Sequence, residues 1–279
     1  MKNPLVVQCQ KMIFIMVQNK AIKSIFAIVF WLVVWQIAAN WVGHTILLPS
    51  PIQTIKALVQ LLPTSSFWLR VGFSLFKIAQ GFVLATICGL GMAVAASIWS
   101  MVEILFNPLV LLAKATPVAS FIILALIWMP SSQLPIFISF LMVLPIIYTS
   151  VLQGVRQTDI QLLEMAKVFR VPFWRQVKAI YIPQVFPYFY SACSVSLGLA
   201  WKSGIAAEVI GLPHNTIGEA LYEAKVFLST DEMFAWTAVV VLTSVMFEKL
   251  VLKLLKQAVN IQEQEQQNAD NNNQSNQTI

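Results

Sequence analysis

Five stretches of this chain carry no Lys, Arg, Asp or Glu: residues 24–55, 78–102, 115–155, 179–201 and 233–247. A helix needs ~20 mostly apolar residues to cross a bilayer, and it must satisfy every backbone N–H and C=O within itself. The run 115–155 is long enough for two crossings with a break. One helix per crossing predicts six spans, at about 24–42, 78–99, 105–128, 134–153, 186–206 and 233–252. A length of 279 residues would otherwise suit two soluble domains, but 58% hydrophobic and 11% charged residues exclude that. The expected fold class is an all-α integral membrane protein of about six transmembrane helices, embedded in a lipid bilayer.

Orientation follows from Lys and Arg. With the N-terminus inside, the cytoplasmic side carries Lys2, Lys11, Lys20, Lys23, Arg156, Lys167, Arg170, Arg175, Lys178, Lys249, Lys253 and Lys256, against Lys56, Arg70 and Lys225 outside. Both termini and the 154–187 loop are thereby expected to be cytoplasmic. The net charge of +6 is explained by this topology and calls for no nucleic-acid partner. No small-residue cleavage pattern follows the first span, so it is expected to be a retained helix. The chain divides into a basic N-terminal segment (1–23), a transmembrane region (24–256) and an Asn/Gln-rich tail (257–279) expected to be disordered.

The longest charged, helix-patterned segment between apolar runs is 154–187. Thr158 to Gln161 predicts a capping box, with the hydroxyl covering orphan N–H groups and Gln161 reaching back. Leu162, Met165, Ala166 and Phe169 then share one helical face. Pro172 cannot continue that helix but suits the first turn of a second. There Phe173, Val177, Ile180 and Tyr181 form a stripe, with Arg175 and Lys178 on the polar side, and Pro183 and Pro187 close the unit. The pattern predicts a compact helix–turn–helix between two spans.

The spacing Glu164-Met165-Ala166, Arg170, Ile180-Tyr181-Ile182-Pro183 resembles the cytoplasmic EAA loop of bacterial ABC-importer permeases, E-A-A-x3-G-x9-I-x-L-P. Glu164, Ala166, Ile180 and Pro183 match in register; Met165 replaces alanine, Ile182 replaces leucine, and Arg170 stands where glycine is usual. Glycine would permit a tight turn, whereas Arg must avoid φ > 0 or accept strain. Leu47-Leu48-Pro49-Ser50-Pro51 after the first span resembles the sulfonate/taurine/nitrate branch, and the sequence around Ser74–Lys77 and Gln80–Phe82 is similar to the start of the family's core. Trp201 and Glu208 match a tryptophan and glutamate that the family often carries. The resemblance covers roughly 45–255. It implies a homodimer in the bacterial inner membrane, served by two cytoplasmic ATP-binding subunits and an extracytoplasmic solute-binding protein. It also implies that Glu164, Met165, Ala166, Arg170, Pro172, Phe173, Ile180 and Pro183 form a coupling helix on the ATPase. The resemblance leaves sulfonates, taurine, nitrate and thiamine or pyrimidine precursors open as solutes, and favours a small anion by analogy with the branch.

Two small-residue ladders accompany the loop. Gly81, Ala85, Gly89 and Ala93 recur every fourth residue in the second span, as do Ala192, Ser196, Ala200 and Gly204 in the fifth. Such ladders let helix backbones approach closely in lipid. They suit a tightly packed translocation core and equally any helical bundle. Lys202 and Glu208, near the outer end of the fifth span, have two readings: groups on the solute path, or a weak snorkelling pair. Lys114 can snorkel, and the acidic loop 211–232 is either a docking surface for a binding protein or solvated. Cys9, Cys88 and Cys193 have no metal-like or paired spacing. None of the ten glycines precedes a lysine, so there is no phosphate loop, and His44 and His214 make no metal motif. The chain is therefore expected to be no enzyme and to hold no cofactor of its own, ATP being used by the partner. The alternative is a stand-alone secondary transporter or channel, which would favour paired mid-membrane charges and an inverted repeat.

Overall fold

The computed structural model describes residues 20–277, and among these there is helix but no strand. Lys2, Cys9, Lys11 and the rest of the basic segment up to residue 19 lie outside the described residues. The described residues fall into two compact units, 20–64 with Glu223–Thr237, and Ser65–Tyr222 with 238–277.

In the first unit, α1 (Lys20–Val42) ends where Gly43 takes φ +70°, a left-handed stop that glycine adopts without strain. α2 (Pro51–Leu61) starts on a capping box: Ser50 Oγ accepts from the Gln53 amide (3.3 Å), and the Ser50 amide donates to Gln53 Oε1 (2.9 Å). Pro51 occupies its first turn, where a missing N–H costs nothing. Trp35 Nε1 donates to the Pro49 carbonyl at 3.1 Å, and its ring stacks on Phe234 with centroids 5.6 Å apart.

The second unit opens with α3 (Ser65–Ile98), which begins well before the expected residue 78. Lys77 immediately precedes the expected span, yet it does not break the helix, which is continuous from Ser65. α4 (Ser100–Ala115) and α5 (Val118–Trp128) replace the single crossing expected at 105–128, for they meet at 110°. Pro117 supplies no amide and drives Thr116 to an extended backbone (φ −84°, ψ 134°). Inside α4, Pro108 does not end the helix. A short 3₁₀ turn at Ser131–Gln133 leads into α6 (Leu134–Arg156), the central helix, which packs along α3 on one side and α9 (Ile182–Gly211) on the other. Its Ile138, Val143, Ile147 and Tyr148 are fully buried. Between α6 and α9 lie α7 (Ile160–Val168), α8 (Phe173–Gln176) and a π-helical turn at Val177–Tyr181.

α10 (Ile217–Val226) and α11 (Thr230–Gln277) have residues in both units. α11 stays helical through 257–277, where composition favours a disordered tail. No Gly or Pro follows Gly218, and Gln, Glu and Ala propagate a helix already nucleated upstream. Among the described residues three helices are long and apolar enough to cross a membrane: Lys23–Val42, Ser65–Ile98 and Ser131–Arg156. The bent pair makes a fourth if counted as one span. The expected spans at 186–206 and 233–252 lie within α9 and α11, which fall outside that count.

Candidate functional site

The loop between α6 and α9 is built on a cap different from the expected one. Thr158 is buried, and its hydroxyl turns back to the Gly154 carbonyl at 3.4 Å, closing α6. Asp159 is the N-cap of α7, with Oδ1 accepting from the Gln161 amide at 2.8 Å. The Asp159 amide donates to Gln184 Oε1 at 2.8 Å, so Gln184, not Gln161, covers it. One more tie fixes the loop to α9: Tyr188 Oη donates to Gln157 Oε1 at 2.6 Å. Arg156, at its entrance, pairs with Glu103 of α4.

α7 ends at Arg170, which has φ +50°. The Arg170 amide donates to the Lys167 carbonyl (3.1 Å) and the Val171 amide to the Ala166 carbonyl (2.9 Å). That pairing is a Schellman cap with arginine in the left-handed position glycine usually fills. Arg170 therefore accepts strain. Gln176 Nε2, reaching the Val171 carbonyl at 2.7 Å, helps hold it, while Pro172 sits as N-cap of α8. Replacing Arg170 with Gly relieves a left-handed penalty of about 1 kcal/mol. The expected result is a higher thermal midpoint in detergent; a lower one would contradict the strain.

The turn presents an apolar surface. Ala166 is buried, Ile180 is half-buried, and Glu164, Pro172 and Pro183 are exposed. Met165 is 52% exposed, Phe169 73% and Phe173 63%. Trp174, not singled out in the sequence, is 81% exposed beside Phe173, with ring centroids 6.2 Å apart. A tryptophan next to the stripe was the available signal.

The small-residue ladders lie in a seam of close backbone approach. A Cβ on Gly81 would strike the Ile136 carbonyl oxygen and stand 2.8 Å from Ser139 Cβ, and one on Gly89 would stand 3.0 Å from Ile147 Cβ. A Cβ on Gly204 would stand 2.6 Å from Ile78 Cγ1 and 2.8 Å from Ser139 Oγ. Ala85, Ala93, Ala200 and Ser196 are fully buried, and Ser139 Oγ donates to the Ala200 carbonyl at 3.1 Å. Trp201 is buried, with Nε1 donating to the Val240 carbonyl at 2.9 Å.

The structure does not bring Lys202 and Glu208 together. Lys202 is exposed, whereas Glu208 is fully buried, with Oε2 accepting from Ser74 Oγ (2.8 Å) and the Gly218 amide (3.1 Å). Their six-residue spacing turns the two side chains to different faces of α9. Lys114 Nζ donates to Thr149 Oγ1 at 3.3 Å. No group of three or more His, Cys, Asp or Glu among the described residues could hold a metal ion.

Residues 81–261 match the model of the family described as binding-protein-dependent transport system inner membrane component. SsuC of Bacillus subtilis (strain 168), which bears the name of an aliphatic sulfonates transport permease protein, is 24% identical over 230 residues, covering 80% of this chain and 83% of SsuC. The taurine transport system permease protein TauC of Escherichia coli (strain K12) is 22% identical over 220 residues, covering 77% and 80%. A solved crystal structure of an amino acid ABC transporter with histidines shares the fold, with a TM-score of 0.57 at 15% identity over 72% of this chain and 97% of that one.

Proposed function

We propose, from the premise that this chain belongs to the binding-protein-dependent transport system inner membrane component family, that it moves a small solute inward under the power of a separate ATPase. The relatives are transport permeases, not enzymes, and the family works with ATP-binding and substrate-binding subunits. The observation that carries the finer reading is the exposed apolar surface of α7 and α8, held by a strained cap between two helices of the packed core. An exposed aromatic patch on helices that also carry exposed Glu164, Lys167 and Arg175 has the make-up of a protein-docking surface. In this reading the surface faces the cytoplasm, as the Lys and Arg count favours, and seats on an ATP-binding subunit. ATP binds one conformer of the assembly better than the other; equal affinity would shift nothing. Two copies of the chain and an external solute-binding protein complete the importer. A small anion of the sulfonate type is the proposed solute, supported by the names of SsuC and TauC.

Replacing Glu164 with Lys tests this reading. The variant is expected to insert in the membrane at wild-type level and to lose ATP-dependent solute uptake into vesicles. Undiminished uptake would count against the docking surface.

A further inference from the structure

Three helices converge, through residues of the second unit, on one buried carboxylate. Glu208 lies in the last turn of α9; its Oε2 binds the Ser74 hydroxyl of α3 and the Gly218 amide of α10. Ser74 Oγ accepts in turn from the Ile217 amide at 2.9 Å, so two amides of the first turn of α10 are held. One turn earlier on α3, Arg70 lies 4.0 Å from Glu219. Glu219 itself accepts from the Asn215 amide at 2.7 Å, and its amide donates to Thr216 Oγ1 at 3.2 Å. Gly218 permits this seat: a Cβ there would stand 2.5 Å from the Glu208 carbonyl carbon and 2.6 Å from the Val209 amide.

This is a poor way merely to fasten a helix. Burying a carboxylate carries a desolvation cost that its partners must repay, and apolar packing of similar volume is often as stable. Glu208 Oε1, moreover, has no hydrogen-bond partner among the described residues. What such a contact supplies is conditionality: it holds only while the hydroxyl of α3 and the amide of α10 are both in place. The connection that follows is strained at Leu212, which takes φ +49°, while Asn215 at φ +58° sits in a left-handed position that asparagine tolerates. From Pro183, where the 154–187 loop closes, to Glu208 is ~37 Å along α9, so this contact and the loop occupy opposite ends of one helix.

We infer that Glu208, Ser74 and Gly218 form a latch that seats α10 and the 212–216 connection on α3 and α9, and that its opening is a step of the solute-transport cycle. The latch stands on the geometry alone; its place in a cycle rests on the proposed function. Glu208 is here a positioning residue.

Hydrogen–deuterium exchange on the purified full-length chain in lipid nanodiscs tests the latch. In Glu208→Gln and Ser74→Ala, amides 217–220 are expected to exchange about tenfold faster than in wild type, while the α6 amides are unchanged. Unaltered exchange at 217–220 in both variants would overturn the latch. Ser74→Ala removes only a hydroxyl and keeps the test readable if Glu208→Gln folds poorly. With the ATPase bound, Ser74→Ala is expected to raise solute-independent ATP hydrolysis and to lower the solute moved per ATP. Unchanged solute moved per ATP would overturn the role in the cycle. If no ATPase binds the wild-type chain, the proposed function fails, and exchange still decides the latch.

Discussion

Gly81→Ala is expected to destabilise the second unit by about 1–3 kcal/mol, the range of overpacking in a tightly filled interior, whereas Gly91→Ala in the same helix should stabilise it by about 0.5–1 kcal/mol. Both glycines lie within α3, so their backbone contribution is alike. They differ in what a methyl group would meet. At Gly81 it strikes the Ile136 carbonyl oxygen, a backbone atom of α6 that moves only if the helix does; at Gly91 there is nothing within 4 Å. In lipid there is no water to expel from between helices, and association rests on such close van der Waals contact. Thermal unfolding in detergent reads both signs at once. Equal shifts for the two variants would contradict the α3–α6 seam.

The second large effect belongs to the α7–α8 surface. Phe169→Asp with Phe173→Asp places two carboxylates on the exposed apolar patch without touching Ala166 or the cap hydrogen bonds. Truncating central aromatic anchors costs an interface about 2–4 kcal/mol. Affinity for the ATP-binding subunit is therefore expected to fall roughly 30- to 1000-fold. Because both side chains are more than 60% exposed in the isolated chain, the thermal midpoint should move little. A large drop in that midpoint would show instead that the patch packs within the chain.

The helical class was legible because charge-free runs of that length have one physical solution in lipid. Boundaries were less so. α3 starts at Ser65 because Arg70 and Lys77 do not break a helix, although they interrupt an apolar window. Pro117 was visible as a break, but the 110° turn between α4 and α5 was not. Proline removes a hydrogen bond and bars the preceding residue from the helical region, but neither effect fixes the angle. In the loop, the dilemma at Arg170 could be stated from its glycine-like position, and the structure resolves it towards φ > 0. The local pattern fits Thr158 as well as Asp159 for the cap, because the two are adjacent and both residue types can cap. The Gly154 carbonyl and Gln184, outside that local pattern, decide between them. Glu208 was singled out, but its partners could not be read: Ser74 lies 134 positions away in the sequence. The Thr216-x-x-Glu219 pattern was the one local sign that a helix starts beside it.

The most direct test of the central claim is a pull-down of the tagged full-length chain from its own membranes in mild detergent, assayed for ATP hydrolysis. The wild-type chain is expected to bring down an ATPase that Glu164→Lys and the double aspartate variant do not. A chain that captures no ATPase yet moves solute in vesicles would contradict the account, as would variants that retain the ATPase in full.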